Sequence, residues 1–279
     1  MRFESVHGIQ LPKVGFGTWR IGGEASPNPA EDERSGAALR SALELGYSHF
    51  DTAEGYAGGH AEELLGEAVR ASALPREALF ITSKVSPEHL AYADVVRSCE
   101  QSLRRLRMDY LDMYLIHWPQ RGINLPETFQ ALNQLVRSGK VRHLGVSNFN
   151  LRLLMQAHAL AESPLLTNQV PYSIPDRSYV DNGVLAYCQE HEILLTAYSP
   201  VKSRFFKGDK LRAFASERGV SPEQIALAYL VQQPRVITIP MSLNPQHQAQ
   251  NLAATDLVLT EAELALLNDL AHRGRAASS

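Results

Sequence analysis

A carboxylate, a phenol, an ammonium and an imidazole stand where three successive apolar runs stop. Phe50-Asp51-Thr52-Ala53-Glu54-Gly55-Tyr56 passes from an apolar run to an acid and a phenol five residues apart. Phe80-Ile81-Thr82-Ser83-Lys84 ends on a lysine, and Tyr114-Leu115-Ile116-His117-Trp118 carries a histidine at its end. A fourth run, Leu144-Gly145-Val146-Ser147-Asn148, ends on two small polar residues. Tyr56 is a weak acid of ordinary pKa about 10, so giving up a proton at neutral pH requires a neighbour that stabilises the phenolate. Lys84 could supply that cation, and Asp51 could keep the lysine charged in a partly dry pocket. His117 could aim an N–H at a carbonyl oxygen, polarising and orienting it. Such a site has no evident nucleophilic serine or cysteine and no clustered metal ligands, so a hydride source or electrophile must come from a cofactor. Lys84 also permits a different chemistry, Schiff-base attack on a carbonyl carbon. Each side chain alone has a plainer explanation, a capped turn for Asp51 or simple packing for the tyrosine and histidine. Polar groups at the ends of successive strands are less easily explained that way.

The surrounding pattern must bring these groups together. Predicted strands are Val14–Trp19, Ser48–Thr52, Leu79–Val85, Leu111–His117, Leu144–Ser147, Leu166–Val170, Leu194–Ser199 and Val236–Pro240. Between and after them, apolar spacing predicts helices at Glu31–Leu45, Ala61–Ala71, Pro87–Leu106, Pro126–Ser138, Leu151–Leu160, Tyr179–His191, Ser221–Gln233 and Thr260–Ala271. Ser221-Pro222-Glu223-Gln224 and Thr260 with Glu263 carry capping-box spacing, which fixes two helix starts. Short apolar strands alternating with helices imply parallel strands covered on both faces. Eight such units without a linker favour a single (β/α)8 TIM barrel over residues 1–279, with a short hairpin from Phe3 to Lys13 capping one end. In that architecture the loops after the strands share one face, so Asp51, Tyr56, Lys84 and His117 converge on the C-terminal mouth.

With 279 residues, 44% hydrophobic and 20% charged, the chain has the composition of an ordinary globular protein. A net charge of -3 and no long basic run make nucleic acid a poor partner. No stretch approaches the roughly 18 apolar residues of a membrane span, and the N-terminus shows no secretory signal, so the expectation is a cytoplasmic protein without a membrane partner. Cys99 and Cys188 form no Cys-x-x-Cys pair and are expected as buried, reduced thiols. No long apolar helix face calls for a subunit partner, which favours a monomer.

Asp51-Thr52-Ala53-Glu54-Gly55-Tyr56, Lys84, Leu115-Ile116-His117-Trp118-Pro119, Gly145-Val146-Ser147-Asn148-Phe149, Asn168-Gln169 and Ala197-Tyr198-Ser199-Pro200 resemble, in order and over nearly the whole chain, the aldo-keto reductase family. The resemblance implies NAD(P)H-dependent reduction of aldehydes and ketones. Tyr56 would be the general acid, Lys84 and Asp51 would lower its pKa, and His117 would orient the carbonyl. Ser147, Asn148 and Gln169 would hold the nicotinamide carboxamide, Tyr198 would stack on its ring, and Ser199, Pro200, Ser242 and Asn251 would belong to the same cofactor site. The family's last phosphate-binding stretch usually begins Ile-Pro-Lys-Ser and carries an arginine further on. Here Ile239-Pro240-Met241-Ser242 and His247 replace those two cations. NADPH remains the expected cofactor by family habit, with NADH possible and the preference smaller than usual. Asn244, Lys202 and Arg204 are further candidates for the adenosine and phosphate end. Trp19 and Trp118 would give the pocket an aromatic wall for small aromatic aldehydes and dicarbonyls. Two rival functions stay open: a Schiff-base lyase using Lys84, and a regulatory protein of the same fold that binds cofactor without turning substrate over.

Overall fold

The computed structural model describes residues 2–201 and 208–276. Two short strands come first, β1 (Phe3–Val6) and β2 (Ile9–Pro12), paired antiparallel. The eight-stranded sheet that follows is parallel throughout and runs in sequence order. Its strands are β3 (Phe16–Gly17), β4 (His49–Asp51), β5 (Phe80–Val85), β6 (Leu111–Ile116), β7 (Val141–Ser147), β8 (Leu165–Pro171), β9 (Leu194–Tyr198) and β10 (Val236–Thr238). A parallel bridge between Val14 and Thr238 joins the last strand to the first, and Thr238 N donates to Lys13 O at 2.9 Å and Gly15 N to Thr238 O at 2.8 Å. The sheet thus closes as the expected (β/α)8 barrel.

The helices are α1 (Asp32–Glu44), α2 (His60–Ala71), α3 (Tyr92–Leu106), α4 (Leu125–Arg137), α5 (Leu151–Leu160), α6 (Ser178–Asp181), α7 (Val184–Glu190), α8 (Asp209–Glu217), α9 (Pro222–Val231), α10 (Pro245–Ala253) and α11 (Glu261–Ala276). Ser221 caps α9 in a reciprocal capping box with Gln224. Thr260 and Glu263 do the same ahead of α11, Thr260 N donating at 2.7 Å and Glu263 N at 3.3 Å. Several expected boundaries shift for local reasons. The expected first strand, Val14–Trp19, is regular only at Phe16–Gly17, because the chain turns where Ile21 N donates to Thr18 O. The expected helix Pro87–Leu106 begins at Tyr92, since Ala91 takes an extended conformation after a turn at Pro87–His89. Tyr179–His191 divides into α6 and α7 at Gly183, whose φ of 87° only glycine adopts readily. The helices α8 and α10 were not anticipated. The second lacks an apolar stripe, its buried positions being Gln248 and Asn251.

Packing falls in two layers. Between strands and helices lies a continuous apolar cluster that includes Phe16, Phe50, Tyr47, Leu65 and Phe129. Inside the barrel, Met113, Leu115, Leu166, Leu194 and Ile237 pack with Val6 and Leu11 of the hairpin, which therefore plugs the N-terminal end. Lys13 fastens that plug, its Nζ donating to Gln233 O at 3.0 Å and Val236 O at 3.1 Å while pairing with Glu4. With that end filled, the C-terminal mouth is left for a site. Cys99 and Cys188 are buried free thiols, each pushed up to about 12 by burial. Among the described residues no helix is long and apolar enough to cross a membrane.

Candidate active site

Side chains alternate along a strand, and this period of two decides which polar groups enter the barrel. On β4, Phe50 packs outward into the strand–helix layer while Asp51 faces the mouth. On β5, Ser83 points outward, its hydroxyl donating to Glu62 of α2 at 2.5 Å, and Lys84 points inward. Lys84 is fully buried and Asp51 is 1% exposed. The lysine Nζ donates to Asp51 Oδ1 at 2.5 Å, to Thr52 O at 2.7 Å and to the Tyr56 hydroxyl at 3.2 Å. All three ammonium protons are thereby used.

Tyr56 begins a tight turn whose next three residues are left-handed, with φ of 48° at Ala57, 62° at Gly58 and 96° at Gly59. That turn swings the phenol back over the mouth. Its ring meets His117 edge to face at 5.5 Å between centroids and Trp19 at 5.3 Å. A cavity of about 470 Å3 opens here, lined by Asp51, Tyr56, His117, Trp19 and Trp118 on one side. Ser147, Asn148, Gln169, Tyr198, Ser199, Pro200 and Met241 line the other. Trp19 and Trp118 remain 43% and 47% exposed, so they stand at the rim.

The electrostatics follow from burial. Desolvation is the largest influence on Lys84 and lowers its pKa, but Asp51 and Tyr56 together outweigh it, leaving the lysine above its ordinary value and charged. His117 is lowered to about 3 by burial and by the Lys84 charge, so it is a neutral imidazole. Tyr56 departs from expectation. Burial raises its pKa, Lys84 pulls it down, and Asp51 raises it, with burial prevailing. The pair was expected to lower the phenol jointly; only the lysine does so, because a carboxylate disfavours a second anion beside it.

A second network occupies the facing wall. Ser147 Oγ donates to Gln169 O at 2.8 Å, and Asn148 Nδ2 donates to His117 O and Ser147 Oγ, each at 3.0 Å. Tyr198 OH donates to Asn148 Oδ1 at 2.9 Å. Gln169 Nε2 crosses the barrel to donate to Asp51 Oδ2 at 2.7 Å, leaving its Oε1 as an acceptor for a ligand. Asn148 and Ser199 hold positive φ, 63° and 52°, in the loops that carry this wall. The half-buried Tyr198 ring beside hydroxyl and amide groups fits a flat aromatic ring bearing a carboxamide, the nicotinamide type.

Of the residues expected at the adenosine end, not all line this cavity. Ser242 and Asn251 do not line the cavity; Ser242 Oγ accepts from Asn244 N at 3.1 Å, and Asn251 is buried on α10. Asn244 caps α10 by accepting from Gln246 N at 2.9 Å. Met241 lines the cavity and is half-buried against the main core, and His247 is exposed. Lys202 and Arg204 lie outside the described residues. Missed from sequence were the Thr52 carbonyl that holds Lys84, the Gln169–Asp51 link, and lining by Gly17, Gly55, Val201, Ile239 and Pro240. Backbone acceptors carry no residue signature. Gly17 did carry a signal, since a Cβ there would meet Ile239 O at 2.6 Å. No group of His, Cys, Asp or Glu among the described residues could hold a metal ion.

A closed (β/α)8 barrel, plugged at one end and gathering polar side chains at the C-terminal mouth, defines the fold class. The sequence pattern of the Aldo/keto reductase family matches residues 13–272. The methylglyoxal reductase YeaE of Escherichia coli K12 is 36% identical over 93% of this chain and 91% of its own. A crystallised thermostable aldo-keto reductase in complex with the inhibitor epalrestat superposes with a TM-score of 0.92 at 42% identity, covering 97% of this chain and 100% of the other. An aldo/keto reductase from Klebsiella pneumoniae, solved with NADP and acetate, gives 0.85 at 38% identity over 94% and 92%. The chain belongs to the aldo/keto reductase family.

Proposed function

We propose that the protein reduces small aldehydes and dicarbonyls to alcohols with NAD(P)H, Tyr56 supplying the proton. One observation carries this: the Tyr56 hydroxyl, which lines the cavity, lies 3.2 Å from a fully buried lysine ammonium. Because the phenol oxygen accepts from Lys84, its own hydrogen is free to donate into the cavity, to the carbonyl oxygen. His117, neutral at working pH, brings a second N–H to that oxygen and fixes its direction. As negative charge builds on the phenol, Lys84 balances it, and Asp51 and Thr52 O keep Lys84 in place. A nicotinamide cofactor held at this wall would supply the hydride that the carbonyl carbon takes up as Tyr56 protonates the oxygen. Ser147, Asn148, Gln169 and Tyr198 would hold its carboxamide and ring. The naming of one relative as a methylglyoxal reductase and the NADP bound to another support both substrate class and cofactor. The Schiff-base alternative is disfavoured, because a lysine donating three hydrogen bonds as an ammonium has no lone pair to attack with. NADPH is the first choice. Since Met241 and His247 replace two cations that would grip a 2'-phosphate, the preference over NADH should be small.

The test is fluorescence titration with NADPH and with NADH, followed by turnover of an aromatic aldehyde and of methylglyoxal by wild type and Tyr56→Phe. Tyr56→Phe should lose roughly 10²–10⁴-fold in kcat with nucleotide affinity unchanged. Open walls predict broad acceptance and ~mM KM values. Nucleotide binding without turnover would instead identify a cofactor-sensing protein, and a thousandfold NADPH preference would refute the weakened phosphate grip.

A further inference from the structure

Glu54 sits in the same stretch as Asp51 and Tyr56, yet it does not line the cavity and has no part in the chemistry above. Its carboxylate is nonetheless buried, 7% exposed, two residues before the phenol. The chain from Thr52 onward runs beside β5 beyond the barrel proper: Thr52 N donates to Thr82 O at 2.8 Å and Glu54 N to Lys84 O at 3.3 Å. The Glu54 side chain extends that contact. Its Oε1 accepts from Ser86 N at 2.6 Å and pairs with His89 Nδ1 at 3.0 Å. The same His89 nitrogen lies 3.2 Å from Ser98 Oγ on α3. Thus the loop that carries the phenol is clasped to the loop that follows the lysine strand, at Ser86, two residues beyond Lys84.

We infer that Glu54 is a positioning residue for Tyr56, its carboxylate clasping Ser86 and His89 so that the phenol oxygen stays within hydrogen-bond reach of Lys84. The inference rests on the reductase reading of the site. Three consecutive left-handed residues follow Tyr56, and the backbone bonds near it are Glu54 N to Lys84 O at 3.3 Å, Tyr56 N to Ala53 O at 3.1 Å and Ala57 N to Glu24 O at 3.4 Å, of which only the first reaches β5. The clasp adds to the Lys84 hydrogen bond and the Trp19 and His117 ring contacts a side-chain tie between the segment before the turn and the loop after β5. Its influence is geometric: Glu54 acts by accepting hydrogen bonds, a role that glutamine can fill through its own Oε1. A displacement of about 1 Å at a reacting group is enough to cost roughly 10²-fold in rate.

The experiment compares Glu54→Ala, Glu54→Gln and His89→Ala with wild type. Each is measured for kcat, KM for an aromatic aldehyde, and NADPH affinity and stoichiometry by fluorescence titration, the stoichiometry counting folded protein. Expected is a kcat for Glu54→Ala lowered ~10–100-fold per nucleotide-binding site, with KM and nucleotide affinity within about twofold of wild type. Glu54→Gln should return to within about threefold of wild type, and His89→Ala, which removes one of two donors from the surface side, should fall between. Wild-type kcat in folded Glu54→Ala would overturn the inference, as would a Glu54→Gln no better than Glu54→Ala. If Glu54→Ala does not fold, an unchanged kcat in His89→Ala overturns it. Absence of turnover in wild type would fault the reductase reading itself, a separate result.

Discussion

Two opposing influences act on the Tyr56 hydroxyl. Burial holds it protonated, while the Lys84 ammonium favours its anion, and burial prevails. A phenol in that position is a donor that loses its proton only when another group takes it. As pH rises, activity dependent on the protonated phenol is lost only through its raised pKa, above the ordinary value of about 10. His117 is neutral down to about 3, so it contributes no acid limb in the working range. The expected kcat profile is therefore flat from roughly pH 5 to pH 9 as far as these two groups decide it. A transition centred between about pH 6 and 8 that disappears in Tyr56→Phe or His117→Gln would contradict this assignment.

At the scale of elements, what matters is how closely the helices can approach the strands and one another. Gly66 of α2 lies against the end of α3, where an added Cβ would come within 2.3 Å of Leu106 O. The obstacle is backbone, so it cannot rotate away. Gly66→Ala should destabilise the fold by roughly 1–3 kcal/mol, seen as a lower urea midpoint at unchanged slope. Gly36 provides the contrast. It lies within α1 and a Cβ there meets only the flexible end of Arg40 at 3.2 Å, so Gly36→Ala should be neutral or stabilising by up to about 1 kcal/mol. Equal losses in both variants would show that helix propensity, and not the α2–α3 approach, controls the outcome. The helices α2 and α3 also share an ion pair between the half-buried Arg105 and the buried Glu62, Arg105 Nε donating to Glu62 Oε2 at 2.6 Å.

For the whole molecule, the hairpin and the mouth divide the barrel into an end that stabilises and an end that binds. Leu11 is fully buried inside the barrel beside Met113, Leu166 and Ile237. Leu11→Ala should cost roughly 2–5 kcal/mol, read as a lower unfolding temperature, while kcat at room temperature is preserved because the mouth is untouched. Loss of kcat without loss of stability would mean that the plug communicates with the mouth.

The alternation of short apolar runs with amphipathic segments determined the barrel, and the position of each polar residue at a strand end determined which side chains share its mouth. Both follow from local periodicity, two along a strand and 3.6 along a helix, which a linear chain displays directly. Asp51, Tyr56, Lys84 and His117 were legible for that reason, as were the two capping boxes. The link from Gln169 to Asp51 was not, because the two residues lie 118 positions apart and meet only when the sheet closes. Nor was the clasp of Glu54, whose main partner is the backbone N–H of Ser86, a group every non-proline residue possesses. Desolvation was likewise invisible, and it reversed the expected direction at Tyr56: the energy of a charge depends on the water that the assembled barrel excludes.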